Sequence, residues 1–260
     1  MKLIVLGSGT STGVPLPGCP CETCNSNDPK DLRNRTSCAI ILDSGETILI
    51  DTSPDLRHQV MQFGIKRVDS VVFTHYHADH ILGFEDLRPF NFISKKAIPI
   101  YLTKETEKEL QRFYSYIFEP SPSYEGGLLA KVENNLFNLG DSFEVLGIKF
   151  QSLKLKHGSM DVSGFRIGDF AYCTDCNFIP DETLEQLKGV TILILDALRW
   201  SKDGSHKTHF SVEQATKVSQ KIGAKKTFLT HMTHSILHER DSKLLPDGIS
   251  FAYDGLTFNL

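Results

Sequence analysis

Four side chains able to bind a metal fall within six residues, His75-Tyr76-His77-Ala78-Asp79-His80, directly after the apolar run Ser70 to Thr74. That run is short and β-branched, the pattern of a buried strand. His75 and His77, two apart on extended backbone, point to one side. Asp79 and His80 follow where the chain turns into a helix. Six positions so loaded can serve two ions, and two ions need further ligands from other loops.

Matching residues stand after three other β-rich runs: His157 after Phe150 to Lys156, Asp175 after Ala171 to Thr174, and His231 after Thr227 to Thr230. Each alone reads equally well as a turn residue. Together they complete two sites if the strands exit along one rim. Asp51 ends a fourth run, Thr47 to Ile50.

The remaining pattern predicts the frame. Lys2 to Leu6 reads as a strand, and Cys38 to Leu42 pairs with Thr47 to Ile50 through the turn Asp43-Ser44-Gly45-Glu46. Ser53 before Pro54 predicts a capped helix from Pro54 to Phe63, closed by Gly64. A strand over Ile98 to Leu102 precedes a helix from Lys104 to Phe118 capped by Thr103. Lys131 to Thr174 is all strand. Helices from Pro180 to Lys188 and after Ser211 flank a strand over Thr191 to Leu195, the second helix placing Val212, Ala215, Val218 and Ile222 on one face. Two β-rich halves, each followed by covering helices and joined without a linker, predict a layered α/β sandwich over residues 1–260 as a single domain.

Cys19-Pro20-Cys21-Glu22-Thr23-Cys24 puts three thiols in an early Gly/Pro-rich loop, so residues 9–35 read as a zinc-binding insertion. A closed zinc site needs a fourth ligand. His234, three residues past His231, would anchor the loop beside the main site; Cys176, in Cys173-Thr174-Asp175-Cys176, is its rival. Cys38, within a strand run, reads as core. His58 and His238 read as surface residues.

A net charge of -4 argues against a broad basic face for nucleic acid. No apolar run approaches the ~20 residues of a membrane helix. The start Met1-Lys2-Leu3-Ile4-Val5-Leu6-Gly7 is too short for a secretory signal. The expected location is the cytoplasm.

The His75-x-His77-x-Asp79-His80 core with its partners resembles the metallo-β-lactamase superfamily, whose fold is a four-layer αββα sandwich with the metal site at one edge. The resemblance implies one ion on His75, His77 and His157, a second on Asp79, His80 and His231, and Asp175 bridging both. It also implies that Asp51 is a buried aspartate orienting a ligand histidine. The early CxCxxC after the glycine-rich loop, with Thr230-His231-Met232-Thr233-His234 late in the chain, is similar to the PhnP-type phosphodiesterases. They carry a structural zinc beside a dimetal centre.

By the same likeness His209, in Lys207-Thr208-His209-Phe210-Ser211, is an active-site histidine able to protonate a leaving oxygen, with His206 a weaker candidate. The cofactors implied are two divalent ions (Zn, Mn, Fe or Ni) and one structural Zn. Two ions, Asp79, Asp175 and a bridging hydroxide leave a net charge of about +1, which suits a phosphodiester monoanion. The expected activity is hydrolysis of a small phosphodiester, a cyclic phosphate such as a phosphoribosyl or nucleoside cyclic phosphate, with Asp79, Asp175 and His209 as the catalytic groups. The alternatives are a thioester hydrolase, an RNA-processing nuclease, for which no basic arm is seen, and a pyrroloquinoline quinone biosynthesis protein. A homodimer is expected by analogy.

Overall fold

The β-branched runs become two seven-stranded mixed sheets in a computed structural model that describes residues 1–260. The strands are β1 (Lys2–Gly7), β2 (Ser37–Ile41), β3 (Thr47–Ile50), β4 (Ser70–Val72), β5 (Ile98–Leu102), β6 (Val132–Leu136), β7 (Ser142–Val145), β8 (Ile148–His157), β9 (Met160–Ile167), β10 (Phe170–Cys173), β11 (Ile192–Asp196), β12 (Lys226–Thr230), β13 (Ile249–Phe251) and β14 (Thr257–Asn259). One sheet runs β14-β1-β2-β3-β4-β5-β6 and the other β13-β12-β11-β10-β9-β8-β7. Helices α1 (Leu56–Gln62), α2 (Ala78–Ile81), α3 (Arg88–Ser94), α4 (Lys104–Phe113) and α5 (Ser115–Phe118) come from the first half, and α6 (Asp181–Leu187), α7 (Val212–Ile222) and α8 (His238–Ser242) from the second.

Three apolar cores make the layers. Leu3, Ile40, Ile48, Phe150, Phe165 and Tyr172 fill the space between the sheets. Leu49, Phe73, Phe84 and Leu110 pack the first sheet against its helices, and Leu153, Leu193, Val212 and Leu229 do the same for the second. The result is the four-layer αββα sandwich. None of its helices is long and apolar enough to cross a membrane.

Local expectations hold at the caps of α4 and α7. Thr103 Oγ1 accepts the Thr106 N–H at 3.3 Å, and Ser211 and Gln214 form a reciprocal capping box. Two differ. Ser53 does not cap a helix: its Oγ accepts the Asp55 N–H at 3.2 Å in a local turn, and α1 begins only at Leu56. The helix expected over Lys104 to Phe118 breaks at Tyr114, whose backbone leaves the helical region and whose hydroxyl donates to the Leu82 carbonyl at 2.8 Å. A tertiary anchor overrides the local periodicity there.

The site follows from strand direction. β3 to β6 run parallel to one another, as do β10 to β13, and β8 reaches the same sense through antiparallel β9. Their C-terminal ends therefore open on one edge of the sandwich. Asp51, His75, His157, Asp175, Asp196 and His231 all lie at those exits. Of the five non-glycine residues with positive φ, three are Asp51 (65°), Asp175 (51°) and His231 (63°). Left-handed backbone disfavours side chains with a Cβ, so such turns persist where the surroundings hold them.

Candidate metal centre

At the exit of β4, Thr74 Oγ1 lies 3.0 Å from His75 Nδ1, and His77 sits two residues on at the start of α2. His157 closes β8, its Nδ1–H donating to the Thr208 carbonyl at 2.7 Å. With Asp175 these three histidines offer donor atoms all within 4.8 Å of one another. His77 is the partly open member; the others are buried.

A second set, Asp79, His80, Asp175 and His231, meets the same limit. Asp79 and His80 occupy the first turn of α2. His80 Nε2 stands 3.4 Å from Asp79 Oδ2 and 3.3 Å from Asp175 Oδ1, while His231 Nε2 stands 3.5 Å from Asp79 Oδ2 and 3.3 Å from Asp175 Oδ2. Asp175 thus belongs to both sets and lies between them. The Nε2 atoms of His75, His80 and His231 are buried without a hydrogen-bond partner. Buried polar atoms without partners are costly, and here they fall in ligand sets that fit ions, His75 in the first and His80 and His231 in the second.

The electrostatics agree. Burial alone would raise the Asp175 and Asp79 carboxyls, yet His231 and His80 hold both well below the usual carboxylate range. Against the same burial, Asp175 and Asp79 raise His80 well above the ordinary histidine value and His231 to about 9. His75, His77 and His157 are instead driven down by burial, which keeps them neutral as ligands require. The paired carboxylates demand compensating cations.

The early loop gathers a third set. Cys19, Cys21, Cys24 and His234 converge, His234 Nδ1 standing 3.3 Å from both Cys19 Sγ and Cys21 Sγ. Tetrahedral zinc, with bonds of about 2.3 Å to sulfur and about 2.0 Å to nitrogen, sets such atoms about 3.5 Å apart. The Leu16 N–H points at Cys24 Sγ (3.2 Å) and the Cys24 N–H at Cys21 Sγ (3.4 Å), as amides do toward thiolates. Burial resists ionisation, but the Cys24 amide and His234 bring Cys21 down to about 6; burial and the neighbouring thiols push Cys24 up to about 11. Cys176 lies apart in the second sheet's helix-side core, and Cys38 is buried between the sheets.

A family model described as a β-lactamase superfamily domain matches residues 46–232, which include every member of the two histidine-rich sets. The chain belongs to the metallo-β-lactamase superfamily. That membership implies divalent metal binding. A crystal structure described as a new diphosphatase from the PhnP family is 41% identical and aligns with a TM-score of 0.91 over 100% of this chain and 97% of that one. Zinc-bound PqqB from Methylobacterium extorquens shares the fold at 20% identity and TM-score 0.80, over 100% of both chains. Among curated relatives, an octanoyltransferase of Porphyromonas gingivalis is 37% identical over 257 residues, 98% of this chain and 51% of that protein. The chain thus spans about half the length of that relative. Coenzyme PQQ synthesis protein B of Ruegeria pomeroyi is 25% identical over 78% of this chain and 75% of its own.

Within this superfamily member the structure adds Asp196, which sequence reading misses. It ends β11 fully buried, accepting from His209 Nδ1 at 2.9 Å and from the Phe210 N–H at 2.9 Å. The signal was available, since a carboxylate closing the run Ile192 to Leu195 has the same form as the one that singles out Asp175. His209 lies over the centre, its ring stacked at 4.5 Å on His231 and 4.7 Å from His157. His206 is exposed, its ring 5.1 Å from that of His209. His58 is exposed as expected, but His238 is not: only 7% accessible, it packs beside Phe251 and Tyr253. Its backbone N–H is fixed by Asp31 at 2.8 Å, which draws the residue inward.

Proposed function

We propose that this metallohydrolase cleaves a small phosphodiester such as a cyclic phosphate. The phosphoanhydride of a doubly substituted diphosphate, whose phosphorus centres also carry one charge each, is the related substrate that the diphosphatase neighbour suggests. The observation that carries the reading is Asp175 shared between two complete ligand sets, with His209 stacked on one of their histidines. The kinship with a PhnP-family diphosphatase supports a phosphorus centre. His75, His77, His157 and Asp175 would hold one ion, Asp79, His80, Asp175 and His231 the other, and the Cys19, Cys21, Cys24 and His234 set a structural zinc. Two divalent ions there supply Lewis acidity and a nucleophilic water at neutral pH.

The chain's own groups do the rest. His209 gives its Nδ1–H to Asp196, which leaves Nε2 as the atom that carries a mobile proton. As water oxygen bonds to phosphorus and gives up a proton, the opposite P–O bond breaks and His209 delivers a proton from Nε2 to the departing oxygen. The proton released by the water restores the one His209 gave, while Asp196 holds the ring through Nδ1–H. Burial of His75, His80, His157 and His231 keeps the ligand geometry fixed and the dielectric low, which strengthens every charge interaction in the site.

The test compares bis-p-nitrophenyl phosphate, a nucleoside cyclic phosphate, a nucleotide-sugar diphosphate and an octanoyl thioester, each with Mn, Zn or Ni. Turnover of the phosphorus substrates that is lost on chelation and in His77→Ala is expected. A thioester cleaved while all phosphodiesters stay inert favours the second reading, to which the octanoyltransferase relative points.

A further inference from the structure

Around one buried cation, the early cysteine loop and the segment after β12 are joined. Arg33 has no exposed side-chain surface, and neither has Asp31 beyond 1%. The guanidinium donates from Nη1 to the Thr233 carbonyl at 3.0 Å and from Nη2 to the Ile236 carbonyl and Asp31 Oδ1, both at 2.8 Å; Nε reaches the Lys30 carbonyl at 3.2 Å. Asp31 also accepts from the His238 N–H at 2.8 Å and Ser26 Oγ at 2.7 Å. The two carbonyls held from the later segment bracket His234.

Between His231 and His234 no backbone group is left free. Met232 donates to the Ser8 carbonyl at 3.0 Å and accepts the Thr10 N–H at 3.1 Å; Thr233 donates to the Leu198 carbonyl at 2.9 Å and accepts from Arg33. The two histidines belong to different ligand sets, and two fully bonded residues separate them. A displacement at one therefore passes to the other instead of being absorbed in the loop. Buried ion pairs repay their desolvation only with every donor satisfied, so placement explains this pair better than stability does. Lysine, with a compact ammonium, cannot replace the planar fork across separate acceptors.

We infer that Arg33 is a positioning residue that couples the Cys19, Cys21, Cys24 and His234 set to the His231 side of the dinuclear set. This rests on the reading of those sets as metal sites. Filling the thiol set then tightens the hold of Asp79, His80, Asp175 and His231 on their ion, and by linkage the effect is reciprocal. His75 and His77, in the turn after β4, and His157, at the end of β8, stand outside the coupled segments and share only Asp175 with the coupled set.

The test titrates cobalt(II) into the full chain and into Arg33→Lys and Cys24→Ser. Near-ultraviolet thiolate-to-cobalt absorption reports the thiol set, and competition with a chelating indicator reports the other two ions. Both variants should lose about tenfold or more in affinity for one of those two ions and stay within about twofold for the other. Wild-type affinity for both in either folded variant overturns the coupling. Weakening of both ions alike, whatever the melting temperature, would mark a purely structural role of Arg33, and that outcome overturns it too. Should Arg33→Lys fail to fold, Cys24→Ser decides whether the two sets are coupled, and Arg33→Gln, which keeps a planar donor without the full fork, decides the part of Arg33. Absence of thiolate absorption in the wild type refutes the metal reading of the cysteine loop itself, a result distinct from a failed coupling.

Discussion

His80 donates its Nδ1–H to Asp51 Oδ2 at 2.7 Å, and neither side chain is exposed. Asp51 in turn accepts the Thr74 N–H and the Thr74 hydroxyl, each at 2.8 Å, from the strand exit that carries His75. The consequence is a fixed orientation: with Nδ1–H given to Asp51, Nε2 is the atom that His80 turns toward Asp79 and Asp175, and it would offer its lone pair to an ion held between them. His157 is set in the same way by the Thr208 carbonyl. The buried polar groups behind the centre hold its donors ready at no cost in reorganisation.

Asp51→Asn should therefore weaken the ion on the His80 side about 10- to 100-fold while the protein still folds. The amide must either face a second donor to His80 or force the opposite tautomer, which puts Nε2–H where the lone pair belongs. Metal content after dialysis against a graded chelator measures the loss, and retention equal to wild type would show that Asp51 does not set the tautomer.

His209→Gln should lower kcat about 100- to 10,000-fold on a diester with an alkoxide leaving group. On bis-p-nitrophenyl phosphate, whose leaving group needs no proton, the loss should be far smaller. Asp196→Asn should reproduce the same pattern in milder form, because it removes the carboxylate charge beside His209 and leaves one acceptor oxygen where His209 Nδ1 and the Phe210 N–H use two. Equal losses on the two substrates would remove His209 as the proton donor.

What could be read from the chain, and what could not, divides along a physical line. His157, Asp175 and His231 stand out because a polar ligand at the exit of an apolar run is a local signal that strand direction then turns into a cluster. The short apolar, β-branched runs likewise foretell a layered sandwich of two β-rich halves, although not that β6 joins the first sheet and β7 the second. Asp196 carries the same signal, but it gains meaning only from His209, 13 positions away. The break at Tyr114 depends on the Leu82 carbonyl, and the burial of His238 on Asp31, 207 positions distant. Nothing near either residue in sequence reveals those contacts.

Gly7→Ala should destabilise strongly. A Cβ there would sit 1.9 Å from the Arg35 carbonyl oxygen and 2.8 Å from that of Asn34, both backbone atoms of the strand-like return limb that carries Arg33. Overpacking of this kind costs about 1–3 kcal/mol or more, since backbone cannot step aside as a flexible side chain does. Denaturant midpoints of wild type and variant read the cost, and equal midpoints would show that the limb can move.

Stability should also fall in mild acid through His238. Burial first, then the charges of Lys30 and Arg33, push this imidazole from 6.5 down to about 4, so the folded chain resists its protonation. Between about pH 4 and pH 6.5 the unfolded chain binds a proton here that the folded chain refuses, and unfolding gains from each step downward. The contribution of His238 is thus present in full above about pH 6.5, shrinks as pH falls, and is lost below about pH 4. His238→Phe, which keeps the packing beside Phe251 and Tyr253 without a titratable group, should lose less stability than wild type across that window. Urea unfolding of the metal-free proteins at several pH values isolates the difference, because every other titrating group is common to both. Parallel curves would mean that His238 takes up its proton as easily in the folded chain as in the unfolded one.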